Sequence, residues 1–77
     1  MDEAEIFKFQ GRRFLCSGEC LPSGSFQAVV RYKLPPDELV RTLVLGAGHY
    51  MTGRQALARA KELAENWVRT HPGHEQI

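Results

Sequence analysis

The sequence predicts an α+β domain in which a three- or four-stranded antiparallel sheet is packed on one face by a single C-terminal helix. Three observations predict it. Aromatic and β-branched residues fill the first part of the chain and alanine dominates the last. Strand-like runs alternate with Gly and Pro turns. The final segment opens with a helix-start signal and continues with an apolar period near 3.6. With 77 residues, 43% hydrophobic and 25% charged, the chain has room for one domain, residues 1–77. Strands are expected over about 5–45, the helix over about 53–70 and a flexible tail over 71–77. A domain of this size buries only about 60% of the surface its unfolded chain exposes, so its core is small.

Each element follows from local chemistry. Ile6, Phe7, Lys8 and Phe9 lead through Gln10-Gly11 to Arg12, Arg13, Phe14, Leu15 and Cys16. Glycine accepts positive φ, so Gln10-Gly11 is either a tight hairpin or a bend in one long strand. Leu21-Pro22-Ser23-Gly24-Ser25 is a clearer turn. In the strand beyond it, Phe26, Ala28, Val30 and Tyr32 share one face, and Gln27, Val29, Arg31 and Lys33 the other. Leu34-Pro35-Pro36-Asp37 breaks the ladder, because proline has no amide hydrogen to donate. A further strand is expected over about 38–45, followed by a glycine loop, Gly46-Ala47-Gly48-His49-Tyr50.

Thr52 and Gln55 have the spacing of a capping box, in which each side chain satisfies the other residue's orphan amide. From that start, Ala56, Ala60, Leu63, Ala64 and Trp67 form one stripe, with Leu57 and Val68 at its edges. Arg59, Lys61, Glu62, Glu65, Asn66 and Arg69 fall on the opposite side, where Lys61 with Glu65 and Glu65 with Arg69 have ion-pair spacing. Pro72-Gly73 ends the helix.

Ten basic and nine acidic residues give a net charge of +1, which excludes a uniformly cationic histone-like binder and an acidic solvating tail. The balance is uneven along the chain. Residues 11–33 hold Arg12, Arg13, Arg31 and Lys33 against Glu19 alone, so the near-neutral total conceals a basic sheet. No apolar run reaches the roughly 20 residues of a membrane span, and the Met1–Glu5 start is acidic where a secretory signal is basic. A cytoplasmic protein with no membrane partner is expected.

The chemistry-bearing residues are sparse. Cys16 and Cys20 on one extended strand have Cα atoms roughly 13 Å apart, beyond the roughly 7 Å limit of a disulfide. The ordinary reading is one partly buried thiol and one incidental one. Cys16, Cys20, His71 and His74 offer zinc-ligand types at a spacing unlike a zinc finger, a distant third reading. His49 stands in the expected glycine loop without a nearby carboxylate or nucleophile. Gly46-Ala47-Gly48 lacks the third glycine and the Lys-Ser/Thr of a phosphate loop. Ser17, Ser23 and Ser25 belong to no triad pattern. Nothing implies a cofactor, a metal or a catalytic residue, and a non-enzymatic protein is expected.

The uncovered sheet face remains. Arg13, Gln27, Arg31 and Lys33, with Arg12 as the alternative to Arg13, would set basic and amide groups on a flat surface suited to phosphates and base edges. The competing reading gives these cations the ordinary task of keeping a solvent face soluble. An exposed Val29 with Leu15 or another apolar strand residue would instead form an apolar patch for a protein partner or a second copy.

The run Phe9-Gln10-Gly11, then Gly24-Ser25-Phe26-Gln27-Ala28-Val29-Val30, then Thr52 with Ala56, Ala60, Ala64 and Trp67, resembles a group of short bacterial ββ(β)βα proteins of no assigned activity. The likeness spans nearly the whole chain, but its motifs are structural and carry no site residue with them. In architecture alone the order of sheet then helix is similar to AP2-type and tyrosine-integrase arm-type domains, which lay a three-stranded sheet on DNA; the arginine and tryptophan pattern of the AP2 sheet is absent here. The sequence therefore leads to a binding module acting through its exposed sheet face, with self-association or an unknown protein as partner. Nucleic acid is the alternative partner.

Overall fold

A computed structural model describes residues 2–34 and 39–70, with the backbone alone at Lys33, Leu34 and Leu39. Four strands, β1 (Glu3–Phe9), β2 (Arg12–Cys20), β3 (Phe26–Leu34) and β4 (Leu39–Tyr50), precede one helix, α1 (Gly53–Thr70). The strands form a single antiparallel meander in the order β1-β2-β3-β4, with α1 across one face. The expected α+β architecture is present, with four strands. The Pro35-Pro36 break and the 71–77 tail lie outside the described residues.

Gln10-Gly11 is a hairpin turn. Phe9 pairs with Arg12 across it, and Gln10 (φ 51°) and Gly11 (φ 78°) both adopt the left-handed backbone that a two-residue turn of matching twist requires. This turn fixes the phase of β2, in which Phe14, Cys16 and Gly18 face the helix while Arg13, Leu15, Ser17 and Glu19 take the other side. Arg12 is thereby removed from the candidate basic face. It stands opposite Phe9 on the helix side, and one guanidinium nitrogen is buried with no hydrogen-bond partner among the described residues. The second turn closes through the Leu21 amide to the Ser25 carbonyl (2.8 Å) and the Gly24 amide to the Leu21 carbonyl (2.9 Å).

The last strand is longer than the sequence suggests. Gly46–Tyr50 is strand, not loop, and His49 pairs with Gln27. β4 has 12 residues against 9 in β3, and register shifts between Gln27 and Val29 and between Val30 and Arg31 absorb the difference. Glycine suits the first shift, because a Cβ on Gly46 would lie 3.1 Å from the Ala28 Cβ and 3.3 Å from Leu63 Cδ1.

The helix spans the predicted range. Thr52 Oγ1 accepts from the Gln55 amide at 3.1 Å, but Gln55 Oε1 accepts from the Met51 amide at 3.2 Å, not from that of Thr52, so the capping box is displaced by one residue on its return arm. Ala56, Ala60, Ala64 and Val68 are buried at four-residue spacing; Val68 belongs to the centre of the contact, while Leu57, Leu63 and Trp67 flank it half-buried. Lys61 reaches Glu5 of β1 at 2.7 Å instead of the expected Glu65, whereas Glu65 keeps Arg69 at 3.7 Å. The tertiary partner wins because Lys61 lies at the margin of the helix that overhangs β1, where Glu5 faces α1.

Phe14, Cys16, Ala28 and Val30 from the central strands meet the alanine stripe to form the core. The small side chains let α1 approach closely, and aromatics close one end. Phe14 lies 5.7 Å from Tyr32 and 6.3 Å from Trp67, the latter edge-on. Cys16 is fully buried, and burial pushes its thiol up to about 11. Cys20, on the same strand, is exposed, and both thiols are free. A thiol reagent at neutral pH is therefore expected to modify Cys20 in the folded protein and Cys16 only after unfolding. Labelling followed by peptide mass analysis checks it; equal rates at the two sites would contradict the packing. The folded-state value lies above the ordinary one near 9, so this group's contribution to stability is intact below pH 9 and is lost as pH rises toward 11.

Candidate binding face

The face of the sheet opposite α1 is uncovered. Its rows follow from the ladder: Lys8 opposite Arg13, Ile6 opposite Leu15, Leu15 opposite Arg31 and Arg31 opposite Thr42, then Ser17 opposite Val29 and Val29 opposite Leu45. Three of the four sequence-predicted residues, Arg13, Gln27 and Arg31, lie on it. Lys33 pairs through its backbone with Val40, and its side chain lies outside the described residues.

The face is not a continuous basic surface. Arg31 holds Glu19 in a two-pronged ion pair, through Nη1 to Oε2 and through Nη2 to Oε1 at 3.3 Å. Ser17 Oγ also donates to Glu19 Oε2 at 2.9 Å. The Arg31 hydrogen bond holds the Glu19 carboxyl below its usual range, assisted by Ser17, and the same bond raises Arg31. Gln27 Nε2 donates to the Gly46 carbonyl at 3.2 Å, inside the first register shift. Two of the candidate side chains are thus engaged within the fold, and Arg13 is exposed without an ion pair among the described residues.

The Arg31–Glu19 pair also corrects the expected Val29 patch. Glu19 stands opposite Gln27 and Arg31 opposite Leu15, so the pair crosses the Ser17–Val29 row between them. Val29 is only 1% exposed and Ser17 4%. Replacing Glu19 with glutamine is expected to cost about 1 kcal/mol, a figure already reduced for the partial exposure of both side chains. Because the folded-state value of Glu19 is lowered, its stabilisation is present above the ordinary carboxylate range and is lost as pH falls through the lowered value. Urea midpoints of the two proteins should differ at pH 7 and converge in acid. A constant difference across that range would contradict the pair's role.

The apolar surface lies elsewhere on the same face. Ile6 (58% exposed), Val40 (52%) and Leu45 (59%) project from it, leaving Met51, just before α1, as the other exposed large apolar residue among those described. Ile6, Leu15 and Val40, with Arg13 and Phe14, line a groove of about 390 Å³. Sequence reasoning missed Ile6, Lys8, Val40, Leu45 and Glu19. The alternation of Ile6 and Lys8 with Phe7 and Phe9 was the available signal for the first two.

Other chemistry is thin. Among the described residues no group of three His, Cys, Asp or Glu side chains is placed to hold a metal ion, and His71 and His74 lie outside them. No described helix is long and apolar enough to cross a membrane. Comparison of the chain with models of known protein families, with curated proteins and with solved structures finds no match.

Proposed function

We propose that this chain is a non-enzymatic binding module that engages a protein surface through the open face of its sheet. One observation carries the reading: Ile6, Val40 and Leu45, three of the four exposed large apolar side chains described, share the face that α1 leaves bare. The outer side of the helix is instead lined with charge, including the Arg59–Glu62 pair at 2.9 Å. Exposed apolar side chains gathered on one face support a contact with another protein, since scattered ones need no explanation. A second copy of the chain is one candidate partner, because pairing would enlarge a small core.

Panning random-sequence peptides on the immobilised full chain tests this, together with sedimentation over a range of concentrations. Peptide binding or self-association should fall when Leu45→Lys or Ile6→Lys is introduced and persist with Glu62→Lys. Binding that ignores both open-face changes, or no binding and a monomer throughout, would refute the reading. Tight binding of nucleic acid with no retained peptide would transfer the face to the alternative partner.

A further inference from the structure

We infer that the open-face groove takes an extended peptide segment in which apolar side chains alternate with carboxylates. The inference rests on the reading of the open face as a protein-binding surface and adds the chemistry of the partner. The groove offers Ile6, Leu15 and Val40 to an apolar side chain. At one side of it Lys8 and Arg13 stand directly opposite each other on neighbouring strands, both exposed. Neither makes an ion pair among the described residues.

Glu19, the carboxylate that β2 presents on this face, is held by Arg31 across the Ser17–Val29 row, away from Lys8 and Arg13. Among the described residues, an uncommitted positive pair therefore adjoins an apolar groove with no competing acid beside it. The complementary ligand is an apolar side chain with a carboxylate within a residue or two of it. Because successive side chains of an extended segment point to opposite sides, a segment lying along the boundary between the groove and the Lys8–Arg13 row would turn residues i and i+2 toward the groove and those between toward the cations.

Nucleic acid fits the same surface less well. A phosphate backbone gains nothing from Ile6, Leu15 and Val40, and the arginine and glutamine that would read bases, Arg31 and Gln27, are held by Glu19 and the Gly46 carbonyl.

Fluorescence polarisation with the full chain tests the inference using three labelled probes: a peptide of alternating leucine and glutamate, its leucine-lysine counterpart, and a single-stranded DNA. The leucine-glutamate peptide should bind saturably, and the lysine version about tenfold or more weaker. Arg13→Glu should weaken the glutamate peptide about tenfold and improve the lysine peptide, and Lys8→Glu should act in the same direction. Arg54→Glu, at an exposed helix position, should change neither. Thermal melts should be unaltered by Arg13→Glu, whose side chain is exposed.

Equal binding of both peptides, sensitive to Ile6→Lys, would overturn the charge selection while leaving the open face as a binding surface. Binding of neither peptide would overturn the inference, and panning then decides whether the broader reading falls with it. DNA binding abolished by Arg13→Glu, without peptide binding, would overturn it in favour of nucleic acid.

Discussion

Phe14→Ala is expected to remove most of the stability of the fold. Phe14 is 1% exposed and is the largest fully buried side chain described, with Tyr32 and Trp67 against its ring. Truncating a buried phenylalanine costs about 3–5 kcal/mol, because both transfer energy and packing are lost where the surroundings collapse incompletely. A domain of this length has a total stability of about 4–12 kcal/mol, so the loss is a large share of it. Phe14→Leu keeps part of the volume and should cost about 1–1.5 kcal/mol. Trp67, the only tryptophan, lies edge-on to Phe14 and reports the change directly. In urea titrations followed by its fluorescence, alanine should shift the midpoint far more than leucine. Equal midpoints would show that the aromatic end contributes little.

Gly18→Ala should have an effect of the same order, for a different reason. Gly18 lies on β2 directly beneath the first turn of α1. A Cβ there would stand 2.2 Å from the Gly53 carbonyl oxygen, 2.8 Å from the Ala56 Cβ and 3.0 Å from the Leu57 amide nitrogen. Two of these neighbours are backbone atoms, so a rotamer change cannot relieve the contact and the start of the helix must lift from the sheet. Overpacking of this kind costs about 3 kcal/mol, or roughly 12–24 °C in melting temperature for a domain of this size.

Gly24 provides the control. Its φ of +90° strains any side chain, but nothing lies within 4 Å of a Cβ there. Gly24→Ala should therefore cost about 1–2 kcal/mol from backbone strain alone. Adding Ala56→Gly to Gly18→Ala removes one of the three clashes and should rescue stability only in part. A Gly18→Ala protein melting with the wild type would contradict the close approach of α1 to β2.

The elements governed by local signals were legible in the sequence. The helix begins where Thr52 can cap it and follows the alanine period to Thr70, and the alternation of β3 correctly separates Val30 from Val29. What was not legible depends on partners distant in the chain. Gln10 is not a typical residue for a left-handed turn position, so the hairpin stayed ambiguous and with it the face taken by Arg12 and Arg13. Gly46-Ala47-Gly48 carries the composition of a loop, yet the same glycine allows a bulge, and only its neighbours Ala28 and Leu63 show which is formed.

For the candidate site, alternation located the face and misjudged its texture. Period-two reasoning places Val29 outward but cannot foresee that Glu19 and Arg31, twelve residues apart, close across it. Lys61 chose Glu5 over the helical neighbour for a similar reason. Among the described side chains, the basic surface inferred from Arg12, Arg13, Arg31 and Lys33 contracts accordingly to Arg13 with the unanticipated Lys8, set beside exposed apolar residues.

The proposed placement of function on the open face is read residue by residue by amide chemical-shift mapping of the full chain during titration with the leucine-glutamate peptide. Saturable shifts are expected at Ile6, Lys8, Arg13, Leu15 and Val40, with the outer side of α1 unmoved. Shifts gathered on the helix around Arg59 and Glu62, or spread evenly over the molecule, would contradict it.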